Sequence, residues 1–231
     1  GAVCDASDLG TGKGGLRLAT DKGTVSIIGS VVYNCDLSMS GEASLVRLMN
    51  TVLLNENGGG TATLAAAQGS LLAEHVNAER LALQGREGSA RVVSSEIRES
   101  LKISTTAGSV LITDLVAGAR AVIQVETNDG SIVLRVKQFQ GIVSVVTGGS
   151  VKCSGEGFEK RYSSDGTVEI DPCRNSAAAG SSLTFVEEAR VNCVTANNRN
   201  DCAYLGEVTI VSNSGNVILD FAKYTAASAS A

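Results

Sequence analysis

Glu126-Thr-Asn-Asp-Gly130-Ser-Ile-Val-Leu-Arg-Val136 sets out a turn and a strand in one short phrase. Asn and Asp tolerate the tight backbone of a corner, and Gly takes the positive-φ position there. Beyond the corner, Ile132, Leu134 and Val136 alternate with Val133 and Arg135, the period-two pattern of a strand with one buried face. The phrase is not unique. Gly, a small polar residue and then apolar-x-apolar recurs at Gly69-Ser-Leu-Leu-Ala, Gly88-Ser-Ala-Arg-Val, Gly108-Ser-Val-Leu-Ile, Gly149-Ser-Val-Lys-Cys and Gly166-Thr-Val-Glu-Ile. From Gly69 to Gly166, with Gly130 included, the steps are 19, 20, 22, 19 and 17 residues. Outliers of the same kind stand at Gly23-Thr-Val-Ser-Ile, Gly206-Glu-Val-Thr-Ile and Gly215-Asn-Val-Ile-Leu.

Midway between these phrases lies a second alternating run, seen at Leu81-Ala-Leu, Leu101-Lys-Ile, Ala121-Val-Ile-Gln-Val and Ile142-Val-Ser-Val. Two short strands per period of roughly 20 residues describe a chain that wraps once and stacks on its previous turn. The fold class expected is therefore all-β: a single-stranded parallel β-solenoid, β-helix-like, with about 20 residues per coil. An antiparallel β-sandwich is the alternative, because it too places strands every 8 to 12 residues; it does not require the same phrase at each turn. At ~4.8 Å per coil, ten or eleven coils would make a column on the order of 50 Å. The domain reading is an irregular arm over 1–22, the solenoid over 23–221 and a flexible Ser/Ala tail over 222–231, after which a further segment is expected. Ser40 to Leu54 carries Leu45, Leu48, Met49, Val52 and Leu53 at helical spacing, so a capping helix and two coil edges are equally consistent with it. Val110, Ile112, Ile132, Leu134, Val151, Val168 and Ile170 are expected to stack inward.

The segments TTAGSVLITDL (105–115), ETNDGSIVLRV (126–136) and VSNSGNVILDF (211–221) resemble the coils of adhesin-type β-solenoid domains of bacterial and some eukaryotic surface proteins. The resemblance runs over about residues 69–221 and speaks to architecture. It supplies no catalytic motif. Six cysteines set this chain apart and look more like a eukaryotic extracellular version.

Composition narrows function. The 231 residues are 43% hydrophobic but only 3% aromatic, with no Trp, so a core is built from Val, Leu, Ile and Ala while rings for stacking sugars or bases are scarce. A net charge of −5 with interspersed signs gives no footprint for nucleic acid or an anionic membrane. No apolar run is long enough to span a bilayer as a helix. Cys4, Cys35, Cys153, Cys173, Cys193 and Cys202 form no close pair of the kind that grips zinc. Disulfides are the better reading, with Cys193–Cys202 around a polar loop as the first candidate, and Cys153–Cys173 and Cys4–Cys35 as further ones among 15 connectivities. Disulfides imply an extracellular or cell-surface location. No N-glycosylation sequon occurs.

Chemistry is thin. His75, in Glu74-His75-Val, is the only histidine and has no nucleophile near it in sequence. Gly10-x-Gly12-x-Gly14-Gly15 follows no predicted strand and reads as a loose arm rather than a nucleotide loop. Asp114, Glu126, Asp129 and Asp165 could line one solenoid face and hold calcium, as in polysaccharide-cleaving β-helices. Asp129 and Asp165, however, each precede a turn glycine, where Asp serves backbone geometry. The reading is a protein that is not an enzyme, with no cofactor, metal or catalytic residue. It is expected to be a structural or adhesive solenoid that binds like subunits or another extracellular protein, forming an oligomer or filament through uncapped ends. A polysaccharide-binding or polysaccharide-cleaving β-helix is the alternative.

Overall fold

The computed structural model describes residues 14–33, 35–54, 60–159, 161–162, 169–170, 184–193 and 205–223. The alternating pattern is realised as β1 (Gly14–Ile28), β2 (Val31–Tyr33), β3 (Cys35–Leu54), β4 (Thr61–Gln68), β5 (Leu71–Glu87), β6 (Ala90–Val93), β7 (Glu96–Ala107) and β8 (Val110–Ala117). It continues as β9 (Val122–Asp129), β10 (Ile132–Gln138), β11 (Gly141–Thr147), β12 (Val151–Ser154), β13 (Arg161–Tyr162), β14 (Glu169–Ile170), β15 (Thr184–Val191), β16 (Gly206–Ser212) and β17 (Val217–Phe221). The fold is an all-β parallel solenoid of roughly 22 residues per turn.

Register shows how each turn seats on the last. Gly14 lies beside Cys35, Leu37 beside Ala62, Ala62 beside Leu81, Leu81 beside Leu101 and Leu101 beside Ile123, steps of 21, 25, 19, 20 and 22 residues. Each turn has three faces. On the first, the column Leu16, Leu37, Ala62, Leu81, Leu101, Ile123, Val208, Val143 runs through the stack. On the second, the column is Val25, Val46, Leu71, Ala90, Val110, Ile132, Val217, Val151. A shorter third face carries Val32 beside Leu53 and Ile97 beside Ala117. These aliphatic ladders form the one core cluster, with Leu16 and Val151, at its two ends, only partly buried. Burial of such side chains contributes roughly 1.5–3 kcal/mol each.

The repeated glycine has a steric cause. A Cβ on Gly69 would overlap the carbonyl oxygen of Ser44, one on Gly88 that of Gly69, one on Gly108 that of Gly88 and one on Gly130 that of Gly108. The ladder then continues to Gly215 and Gly149. Rungs approach too closely at this corner for any side chain, which is a stronger demand than φ alone. Hydroxyls inside the corner complete it: Thr127 Oγ1 donates to the Gly108 carbonyl (3.3 Å), Ser212 Oγ to that of Gly130 (3.2 Å) and Thr147 Oγ1 to that of Gly215. The hydroxyl oxygens of Ser212 and Thr147 accept in turn from the N–H of Gly215 (3.0 Å) and Gly149 (3.1 Å).

Chain order and spatial order diverge after Gln138. β16 pairs in parallel with β9 on one side and β11 on the other, and β17 pairs likewise with β10 and β12. The segment near the end of the chain is therefore a rung set between 122–138 and 141–154. β15 crosses β11 antiparallel and closes the first face at that end.

Several expectations are corrected. Among the described residues the stack has six rungs in chain order through Gln138 and two more, 206–221 and 141–154, fewer than ten or eleven; Glu169–Ile170 pairs antiparallel with Arg161–Tyr162 and adds no rung. Val168 lies outside the described residues. Ser40 to Leu54 is strand rather than helix, since both its halves find parallel partners in β1 and β4 or β5. The solenoid begins at Gly14, inside the expected arm, because Gly14–Thr20 finds a parallel partner in Cys35–Gly41. The uncapped end expected near the C-terminus of the solenoid is not found at β17, whose Val217–Asp220 is paired on both edges.

Candidate interaction surface

The candidate carboxylates sit apart. Asp114 occupies the corner between the second and third faces with φ 55°, and Lys137 Nζ lies 3.1 Å from its Oδ1. Glu126 lies on the first face between Ser104 and Val211. Asp129 Oδ1 accepts from Ser214 Oγ at 2.8 Å, at the glycine corner. Three residues in three separate places on the surface make no calcium cradle, and among the described residues no cluster of His, Cys, Asp or Glu is arranged to hold a metal ion. Asp165 lies outside the described residues.

His75 has a backbone role. Gly29, Asn50, His75, Ser94 and Asp114 follow Ile28, Met49, Glu74, Val93 and Thr113, which are register neighbours on successive rungs, and all five have φ between 46° and 65°. A left-handed residue turns the chain from the second face to the third at each of these five rungs. Asn, Asp and His enter this region more readily than other side chains. The His75 ring is exposed, with Nδ1 3.8 Å from Glu74 Oε1.

Cys35 is buried at the start of β3 and faces inward, Cys153 packs on the core at the last rung, and Cys193 is buried just after β15. None of these three is a free thiol. Cys4, Cys173 and Cys202, the other halves of the candidate pairs, lie outside the described residues.

Two surface features concern the first rungs. An open groove of about 450 Å³ runs across four of them, lined mostly by small side chains such as Ala19, Ser40, Ala65 and Ala67, with Asp21, Glu42 and Arg86. It holds no aromatic ring. The other feature is apolar. Ile28 pairs with Met49, Val31 with Val52 and Tyr33 with Leu54. Ile28 and Val31 are about half exposed, at 53% and 51%, and Leu54 is 41% exposed. In the next rung the neighbours of Met49 and Val52 are Glu74 and Asn77, so the patch ends there. Consecutive apolar residues are its signature: Ile27-Ile28, Val31-Val32-Tyr33 and Val52-Leu53-Leu54 place apolar groups on both sides of a strand, where a solvated face would alternate. With 40–54 equally consistent with a helix and with coil edges, the sequence did not assign its part of this face.

At the first rung, β1 pairs with β3 alone among the described residues, and no helix among them is long and apolar enough to cross a membrane. No curated protein and no solved structure matches the chain. A family model described as Toastrack DUF4097 matches residues 22–230. Covering nearly the whole solenoid, that match shows that the chain belongs to the Toastrack DUF4097 family.

Proposed function

We propose that this chain is a non-catalytic structural solenoid of the cell surface or extracellular space, which assembles with like subunits through its first two rungs. The observation that carries the reading is the outward apolar patch of Ile28, Val31, Tyr33 and Leu54 beside the strand β1. Contiguous exposed apolar surface is uncommon on isolated domains and marks contact sites. A strand paired on one side also offers backbone groups to a partner strand. Two copies meeting about a twofold axis would each present the same patch to the other. The cysteine content supports the extracellular address. An adhesive role, in which the same face holds another extracellular protein, is the finer form of the reading.

Sedimentation velocity at micromolar concentration tests it. The wild-type chain is expected to sediment as a dimer or larger species and Ile28→Lys/Val31→Lys as a monomer of unchanged fold by circular dichroism. A wild-type chain that stays monomeric up to 100 µM, on the order of a weak interface, would remove the proposal. The polysaccharide reading would gain from retention of the chain on an immobilised acidic polysaccharide, lost on Arg86→Glu in the groove.

A further inference from the structure

The outward side of the second face carries a charge pattern that contact through the first rungs does not use. We propose that this side binds an acidic polysaccharide with an acid on alternate sugars, laid along the solenoid axis from β3 to β12.

Register supplies the pattern. One outward column reads Arg47, Leu72, Arg91, Leu111, Val133, Ile218, Lys152 through β3, β5, β6, β8, β10, β17 and β12. On β10 the cation is Arg135, two residues beyond Val133 and so on the same side of the strand. Cations therefore stand on every second rung, about 10 Å apart at two strand spacings. The rungs between them present Leu72, Leu111 and Ile218. This alternation depends on the insertion of β17, without which Arg135 and Lys152 would sit on adjacent rungs. Arg91, Arg135 and Lys152 are exposed, and neither they nor Arg47 form an ion pair among the described residues.

A second row fits a sugar chain. The residue after each corner glycine, at Ser70, Ser89, Ser109, Ser131, Asn216 and Ser150, precedes an inward residue and so points outward, giving one small polar side chain per rung beside the cations. Ser70 Oγ and Ser89 Oγ lie 3.3 Å apart, and Ser150 Oγ donates to Asn216 Oδ1 at 3.0 Å. A pyranose joined through equatorial bonds advances its chain by about one strand spacing. Successive sugars can then each meet one member of this row, and acids on alternate sugars fall on the rungs that hold cations. Glu74 on β5 and Asp220 on β17 lie on intervening rungs, where they repel an acid. A polymer charged at every sugar therefore fits less well, and duplex DNA, with one charge per ~1.7 Å of axis, is denser still. The chain as a whole has a net charge of −5 and offers polyanions no general attraction, so recognition falls to this side.

Isothermal titration calorimetry of the full chain at low salt tests this. The probes are a hyaluronan octasaccharide, with a carboxylate on alternate sugars, the same octasaccharide with its carboxylates reduced to alcohols, and an oligomannuronate octamer, with a carboxylate on every sugar. Hyaluronan should bind tighter than oligomannuronate despite half the charge, and the reduced form should not bind. Arg91→Ser/Arg135→Ser should weaken hyaluronan binding about tenfold or more with an unchanged circular dichroism spectrum. Ile28→Lys/Val31→Lys should keep hyaluronan binding, which separates this site from contact through the first rungs, and Arg86→Glu in the groove should keep it too. Tighter binding of oligomannuronate would overturn the proposal, because charge density and not spacing would then be read. So would undiminished affinity in Arg91→Ser/Arg135→Ser, an equal loss in Arg86→Glu, or no hyaluronan binding up to about 1 mM. Capture by anionic phospholipid vesicles without any binding of the glycan would overturn it as well.

Discussion

Gly88 has φ +117° and a neighbour, the Gly69 carbonyl, where its Cβ would be. Gly88→Ala must both strain the backbone and push adjacent rungs apart, so it is expected to cost about 3 kcal/mol by urea denaturation. Gly29, with φ +65° and open space around it, is the contrast: Gly29→Asn should stay within about 1 kcal/mol of wild type, since Asn tolerates the left-handed region. Equal losses at both positions would show that glycine at the corner is chosen for φ and not for proximity. Thr147 tests the hydroxyl inside the same corner. Thr147→Val leaves the Gly215 carbonyl and Gly149 N–H without their buried partner and should cost about 1–3 kcal/mol.

Ile132 stands between Val110 and Val217 at zero exposure. Ile132→Asp places an uncompensated charge in the ladder and should cost about 4 kcal/mol, read as a lowered urea midpoint. An unchanged midpoint would mean the register is wrong. That register was legible because Gly130-Ser-Ile-Val-Leu repeats and its alternation decides which side is inward. What the sequence could not order was the rungs. Gly130, Gly215 and Gly149 open equivalent phrases, so the phrase that admits β17 beside β10 admits β12 equally well, and only the packed structure sets Gly215 between the other two. The apolar patch was hidden for a related reason: Met49 and Val52 fit a helical stripe and an outward strand face alike, and tertiary pairing with β1 and β5 decides. The polar loop after Cys193 has little to bury, and Cys193 is expected to be bonded to Cys202. Peptide mapping without reductant checks this, with Cys193 recovered in any other linkage as the opposing result.

A solenoid built strictly in chain order is a one-dimensional array in which each rung feels only its neighbours. Here the last three rungs interlock, with 122–138 and 141–154 joined directly by the chain yet held apart by 206–221. Native-state hydrogen exchange should therefore show Val125, Val145, Ile210 and Leu219 opening together with one free energy, while the first rungs open separately. Earlier loss at Val145 than at Ile210 would refute the coupling. The arrangement also imposes a timetable on a chain made from its N-terminus. The first six rungs can settle one after another as they emerge, but β11 and β12 leave the ribosome before the neighbour they require. The facing edges of β9 and β10 on one side and of β11 and β12 on the other must wait for their shared partner until Phe221 has been synthesised, so this part of the stack closes only with a segment made after both of the rungs it joins.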